Sequence, residues 1–551
     1  MLRRSASAHR TATARRGAPA SVGVTLAVAL LTACGSSAST GGTGGTGGAG
    51  GAAAVPTANG KGVAAATRSA DAGTLHLAYL ADMSTPDPDV FYDIEGNMVI
   101  LSSYEGLLAY QPGSSTIVPA LAQSYDVSAD GLTYTFHLRS GVTFHDGTPF
   151  DSAGAKASFE RRLAVNNAPS YMLTPVATMT TPDPMTFVVT LKSIVAPFLD
   201  YLASSWGPKM MSPAVLTAHA GSDHAQTWLK DHEAGTGPFT LSAFARGDHY
   251  TLTRNPTYWG TKPAYSAVNI AITPDVNSQI LALRAGDLDA ITHSFPTAEL
   301  ASTQGGLAVQ NFDSFLTSMV YFNVAKKPFD NLATRTLVEG VVDRDSLVKT
   351  VYGPYGAPAA SVYPKGILPA GLAPVSYPLS AAKAPPGTAR IDLAYTSDDS
   401  GVQKRLAELI QQKLQAAGFT VAVREVQNAQ TYDFGKDLAH APDLLLETNT
   451  PDAAHPDTWG RIVWGTGGGL NFFGYSNPKV DALMDQGRAT TDKAASDAAY
   501  GKAGDLVAAD APIMFLASTQ DVMVLRKNLA GVQFVPAYPW ALQLGALDKT
   551  P

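Results

Sequence analysis

The chain has 551 residues, a formal net charge of −7, 15% charged residues and a single cysteine, Cys34. One cysteine excludes a disulfide framework, so the body must be held together by its core, and a mildly acidic balance argues against nucleic acid as a partner. The length calls for two or three domains rather than one core, and no internal repeat of solenoid period is visible.

Residues 1–33 read as a secretory signal. They combine a basic start (Arg3, Arg4, Arg10, Arg15 and Arg16), an apolar stretch from about Val22 to Leu31, and small residues before the cut. The apolar stretch is too short to span a bilayer, which takes roughly 20 residues. Leu31-Thr32-Ala33-Cys34 resembles a bacterial lipobox, which implies cleavage before Cys34 and acylation of its thiol. With about 0.8 kcal/mol per buried methylene, two or more acyl chains anchor stably where one is marginal. The alternative is a soluble secreted protein whose Cys34 leaves with the signal. Residues 34–72, rich in Gly, Ala, Ser and Thr, cannot bury a core and read as a flexible tether. Loss of the five Arg of residues 1–33 takes the formal charge from −7 to −12. No later segment is apolar enough to span a membrane, so the only membrane contact expected is the lipid anchor.

Alternation of apolar residues predicts strands around Leu75, Leu77 and Tyr79, around Tyr134, Phe136 and Leu138, and around Phe187, Val189 and Leu191, the last two antiparallel and half exposed. Val268, Ile270 and Ile272 predict a strand. Asp275 then caps a helix that stops at Gly286, and extended chain resumes at Leu288 and Ala290. A second strand, helix and strand unit runs from Ile391, Leu393 and Tyr395 through the helical spacing of Val402, Leu406, Leu409, Ile410 and Leu414 to Gly418, then to Phe419, Val421 and Val423. The continuous run Leu444-Leu445-Leu446 reads as a buried parallel strand. Two such units imply two α/β lobes. Ligands of open parallel sheets bind beyond the carboxyl ends of the strands, which makes Glu447-Thr448-Asn449-Thr450-Pro451-Asp452 the candidate binding loop.

Nine motifs then appear in order: Tyr104-Glu105-Gly106-Leu107; Pro119-Ala120-Leu121-Ala122; Asp130 to Phe136; Leu138 to Pro149; Gly235-Thr236-Gly237-Pro238-Phe239; Arg254 to Trp259; Gly286-Asp287-Leu288-Asp289; Phe322-Asn323; and Gly474-Tyr475-Ser476-Asn477-Pro478. With them the chain resembles the family 5 extracytoplasmic solute-binding proteins, receptors of ABC importers for peptides and related solutes, over nearly the whole body. The resemblance implies a type II periplasmic-binding-protein fold (cluster C), two α/β lobes with a hinge and an inserted extra domain. Lobe I takes residues 73–108, 233–315 and 520–551, the inserted domain 109–232, and lobe II 316–519, with the hinge near 316 and 519. Most of the motifs read as scaffold: Phe144 to Thr148 as an Asp-Gly turn, Gly235 to Pro238 as the return from the inserted domain, and Arg254 to Trp259 as packing.

The resemblance also implies a site. A peptide lies extended between the lobes, pairing its backbone with both, and its free amino group meets an aspartate that matches Asp452, five residues before Asp457. The strand partners are Thr448, Asn449 and Thr450 from one lobe and Met83 and Ser84 from the other; aromatic lining comes from Tyr104 and Trp464, and Asn471 faces the cleft. The partners implied are a small-molecule or peptide solute and the permease and ATPase subunits of the importer. The receptor itself is a monomer on the outer face of the cytoplasmic membrane, without enzyme activity, cofactor or metal. In accord with this, Gly474 to Pro478 ends in Pro where a nucleophile elbow has Gly, no phosphate-binding Walker loop occurs, and His219, His224 and His232 lack metal-site spacing. Two alternatives stay open: a peptide-sensing signalling lipoprotein without transport, and a non-peptide solute such as an oligosaccharide, an opine or a metal chelate.

Overall fold

The computed structural model describes residues 58–59, 71–300, 303, 305–367, 369, 371–384, 390–397 and 400–550. Cys34, the signal segment and most of the tether lie outside them. No helix among the described residues is long and apolar enough to cross a membrane.

Three sheets organise the body. The first is four-stranded: Thr74–Tyr79 pairs in parallel with Ala267–Ile272, which continues antiparallel through His249–Arg254 to Phe239–Ala245. The helix expected after Asp275 is Val276–Ala285; the Asp275 carboxylate caps it by accepting from Ser278 N at 2.7 Å, and Gly286 ends it at φ +96°. The extended chain that follows, Ala290–Ile291, joins another sheet, pairing with Ile513–Arg526. The parallel partner of Ala267–Ile272 therefore comes from early in the chain, a long-range pairing that local alternation does not specify.

A second four-stranded sheet is antiparallel throughout. Thr133–Leu138 and Thr186–Leu191 pair directly with Phe136 opposite Phe187, and both strands alternate buried and half-buried residues as read from the sequence. Helix Ser152–Val165 packs on this sheet, with Phe159 edge-on to Phe187 at 5.2 Å.

The largest sheet runs Ala290–Ile291, Ile513–Arg526, Leu307–Phe322, Leu444–Asn449, Ile391–Thr396, Val421–Val426. Ile391–Thr396 and Val421–Val426 are parallel and joined by helix Val402–Ala416. Leu444–Asn449 is parallel to the first of them and antiparallel to Leu307–Phe322. Leu444 and Leu446 enter one core, while Leu445 faces the other together with Tyr321 and Phe472. Glu447 shares the face of Leu445 because strand side chains alternate. The two long strands Leu307–Phe322 and Ile513–Arg526 stay paired over most of their length, with two irregularities: Asp313 opposes Gln520 and Thr317 opposes Ser518, leaving residues 314–316 across from Thr519, and Ser318 opposes Ala517 while Met319 opposes Phe515, leaving Leu516 between them.

The scaffold reading of the motifs has a clear physical basis. Asp146 Oδ1 accepts from Thr148 N at 2.9 Å and Gly147 takes φ +83°, closing the turn. His145 is half of a buried ion pair with Glu233 at 2.6 Å, and its other nitrogen meets Gly237 O at 2.9 Å. The returning segment runs so close under residues 102–103 that a Cβ on Gly235 would stand 2.0 Å from Ser103 O, and one on Gly237 2.3 Å from Ser102 O. Tyr258 and Trp259 both donate to the Glu105 carboxylate at 2.9 Å. A buried quartet adds to this frame: Arg161 holds Asp87 and Asp89 at 2.6 and 2.7 Å, and Arg162 holds Asp89 at 2.7 Å.

Candidate functional site

Strand Leu444–Asn449 leaves the large sheet into Thr450-Pro451-Asp452, and helix Pro456–Val463 starts four residues later. His455 caps that helix through Nδ1, accepting from Asp457 N at 3.1 Å. Burial holds the His455 imidazole down at about 4, which keeps it neutral and able to accept.

The turn between strand and helix is pressed against segments distant in sequence. Ser204 donates to Asp452 O, and Tyr110 OH accepts from Ala454 N at 2.9 Å while donating to Asp200 Oδ1 at 2.9 Å. Asp452 itself is 5% exposed, and its Oδ2 accepts from Tyr92 OH at 2.5 Å and Tyr171 OH at 2.6 Å. Burial pushes this carboxyl above the usual carboxylate range, and the two tyrosine hydrogen bonds oppose the shift only in part. Both donors are neutral, and among the described residues no Lys, Arg or His forms an ion pair with it. An uncompensated carboxylate so placed is costly until a cation arrives.

Around this point lie Tyr92, which packs edge-on to Trp206 at 5.9 Å, Tyr171, which packs edge-on to Tyr201 at 5.6 Å, and Tyr432, 54% exposed. Trp206 Nε1 donates to Asp93 O at 2.8 Å. The Tyr432 hydroxyl is raised to about 12, by burial first and then by the charges of Glu447, Asp93 and Asp452. The Tyr432 hydroxyl thus stands near three acids that come from segments far apart in sequence.

The other candidates fall in several places. Thr448 accepts from Gln403 Nε2 at 2.6 Å, Asn449 donates to Tyr321 OH at 3.2 Å, and Thr450, nearly buried, has a hydroxyl without a hydrogen-bond partner. Met83 is fully buried, and its carbonyl and that of Ser84 accept from Arg246 at 3.4 and 2.6 Å. Asn471 spends both ends of its amide on its own loop, bonding Gly465 O, Tyr475 O and Tyr475 N at 2.7 to 3.0 Å. The structure places the two expected lining aromatics in packing positions away from Asp452. Trp464 is 1% exposed among Tyr363, Trp459 and Phe515, and Tyr104, also 1% exposed, borders a separate cavity of about 410 Å³. Tyr92, Tyr171 and Ser204 were not singled out from the sequence, since they sit in no motif and reach Asp452 across 360, 281 and 248 residues.

The family model of the bacterial extracellular solute-binding proteins, family 5, matches residues 116–471. The chain belongs to this family. It is an extracytoplasmic solute-binding receptor, in a family of binding proteins rather than enzymes. Among curated relatives, the probable D,D-dipeptide-binding periplasmic protein DdpA of Escherichia coli is 28% identical over 493 residues, covering 86% of this chain and 94% of the relative. Among solved structures, DppA of Helicobacter pylori in complex with the peptide STSA superposes with a TM-score of 0.74 at 23% identity, over 87% of this chain and 98% of that one. NikA of Brucella suis in complex with Fe(III)-EDTA gives 0.77 at 22% identity, over 87% and 100%. The architecture is accordingly the type II periplasmic-binding-protein fold, two α/β lobes joined by a hinge with an extra inserted domain.

Proposed function

We propose that this receptor captures peptides with a free N-terminus between its lobes and delivers them to the permease and ATPase subunits of an ABC importer. We assign lobe I to residues 73–108, 233–315 and 520–551, the inserted domain to 109–232 and lobe II to 316–519. The observation that carries the reading is the buried Asp452, which on this assignment belongs to lobe II, takes both its hydroxyl donors from lobe I and the inserted domain, and has no cationic partner among the described residues. An ammonium there forms a charge-assisted hydrogen bond, about twice as strong as a neutral one, in a setting where water does not compete. On this assignment Tyr92 and Tyr171 reach Asp452 across the boundary of lobe II, so a ligand held by all three favours the form in which they meet. Closure is a population shift, and its size equals the ligand's differential affinity for the two forms. The unpartnered Thr450 hydroxyl, two residues away, suits a ligand backbone group.

The DdpA and DppA relatives are named for dipeptide binding or bear a bound peptide, which supports a peptide; the chelate in NikA shows how far the same fold extends to other solutes. Cys34 supplies the lipid anchor in this reading, testable by metabolic labelling with a palmitate analogue. The central test is Asp452→Ala. By calorimetry it weakens binding of a free-amine dipeptide at least about tenfold, the loss of one charge-assisted bond. Unchanged affinity overturns the assignment.

A further inference from the structure

We infer that the cleft holds a second cation subsite at Glu447, so that the preferred ligand carries two positive charges: a free ammonium at Asp452 and, on a peptide, a basic side chain at Glu447. This rests on the reading of the cleft given above and names the class of solute it selects.

Glu447 is 4% exposed, and its Oε2 has no hydrogen-bond partner. A buried acceptor left unmade costs its full desolvation, and natural folds keep few such groups. The side chain stands on the face of strand Leu444–Asn449 that also carries Leu445. On that face Tyr321 meets Phe472 edge-on at 5.1 Å, and Phe472 meets Tyr432 at 5.9 Å. Tyr321 OH accepts from Asn449, whose side chain also bonds Glu447. The orphan oxygen therefore sits among tyrosines, and one of them, Tyr432, opens to solvent. At the Tyr432 hydroxyl the charges of Glu447, Asp93 and Asp452 are all felt. Three acids border one opening, none of them in an ion pair among the described residues; a cation that enters there favours the ionised form of a buried carboxyl that burial otherwise keeps protonated.

A single metal ion is the wrong occupant. Among the described residues no three His, Cys, Asp or Glu side chains come close enough to share one. Two separated carboxylates, each backed by aromatic rings, suit two separated organic cations. Aromatic faces add cation–π attraction for a guanidinium or ammonium.

The test uses the full purified chain and calorimetry with Ala-Ala, Lys-Ala, Ala-Lys and 1,5-diaminopentane, on the wild type and Glu447→Gln. The expected result is that the better lysine dipeptide binds the wild type at least about tenfold tighter than Ala-Ala, and that Glu447→Gln brings this ratio to within about twofold. A purely structural role for Glu447 would scale all ligands together and leave the ratio intact, which overturns the inference while the peptide reading stands. Equal wild-type affinity for Ala-Ala and both lysine dipeptides has the same consequence. If the diamine binds in a Glu447-dependent manner and no dipeptide binds, the second subsite stands and the peptide reading falls. Silence from every probe overturns both. Gln matches Glu in shape, and circular dichroism confirms that the variant is folded.

Discussion

Asp452 and Asp457 lie five residues apart on one loop and helix start, and both are buried, yet their surroundings are opposite. Asp457 accepts from Arg461 at 2.8 Å, from Arg488 at 3.4 Å and from Tyr500 OH at 3.1 Å. Asp452 has two tyrosine hydroxyls and, among the described residues, no cation. The first is a closed electrostatic account, with Tyr201 OH also donating at 3.5 Å, so nothing is left for a ligand. The second lacks its counter-ion, and that deficit marks a site more clearly than burial does. Buried acids in this fold sort by whether the protein itself supplies the positive charge, as it also does for Asp87 and Asp89.

The comparison breaks first at Asp457. Asp457→Ala leaves two arginines facing an emptied acceptor and costs about 3–5 kcal/mol, read as a fall in the melting temperature. A variant that melts with the wild type would erase the distinction. Asp452→Asn changes stability by less than about 1 kcal/mol, because no cation is orphaned, even though it abolishes the proposed ammonium contact. Calorimetric unfolding of the two variants side by side measures the contrast. Tyr92→Phe removes one donor to the Asp452 carboxylate and costs about 1–2 kcal/mol of ligand affinity, less than Asp452→Ala.

Glu447 offers a pH test. Burial pushes its carboxyl from 4.5 to about 8, so between those values the folded chain holds a proton that the unfolded chain has released. Stability from this group is full below about pH 4.5 and declines as pH rises towards 8. Glu447→Gln therefore flattens the decline of melting temperature over that window by one proton's worth, leaving the parts due to Asp200 and Asp521, both raised to about 7, and Glu339, raised to about 8. His455 has the opposite sign, adding stability as pH rises from about 4 to 6.5. The smallest effect belongs to the exposed His137 and Asp126 pair, where Asp126→Ala changes the melting temperature by less than scan error, in keeping with the low worth of surface pairs.

Local pattern carried much of the architecture. Phe136 and Phe187 face each other in strands read from alternation, and the helix after Asp275 begins and stops at its capping residues. What alternation could not carry was partner choice over long separations, so Ala290–Ile291 resumed as a strand but in a different sheet. The loop from Glu447 to Asp452 was singled out because it follows a continuous apolar strand, and Asp452 because the family resemblance matches an aspartate to it. Tyr92 and Tyr171 were not, since ordinary tyrosines in ordinary loops become a carboxylate clamp only after three segments converge. Glu447 looked like the polar end of a strand. Its oxygen becomes conspicuous only when the count of donors around it comes to one side chain.

The paired strands Leu307–Phe322 and Ile513–Arg526, whose widest break in register lies across residues 314–316 and Thr519, have a kinetic consequence. Two hydrogen-bonded ribbons resist shear and separate twisting, so relative movement at the break reduces to one angle. A lobe that swings about one angle stays at high effective concentration over its partner, and recapture after a partial opening is fast. If the proposed lobes open about this break, a solute leaves through a rare, wide swing rather than past a loose rim, and residence time, more than arrival rate, is the quantity that sequence changes between the lobes tune.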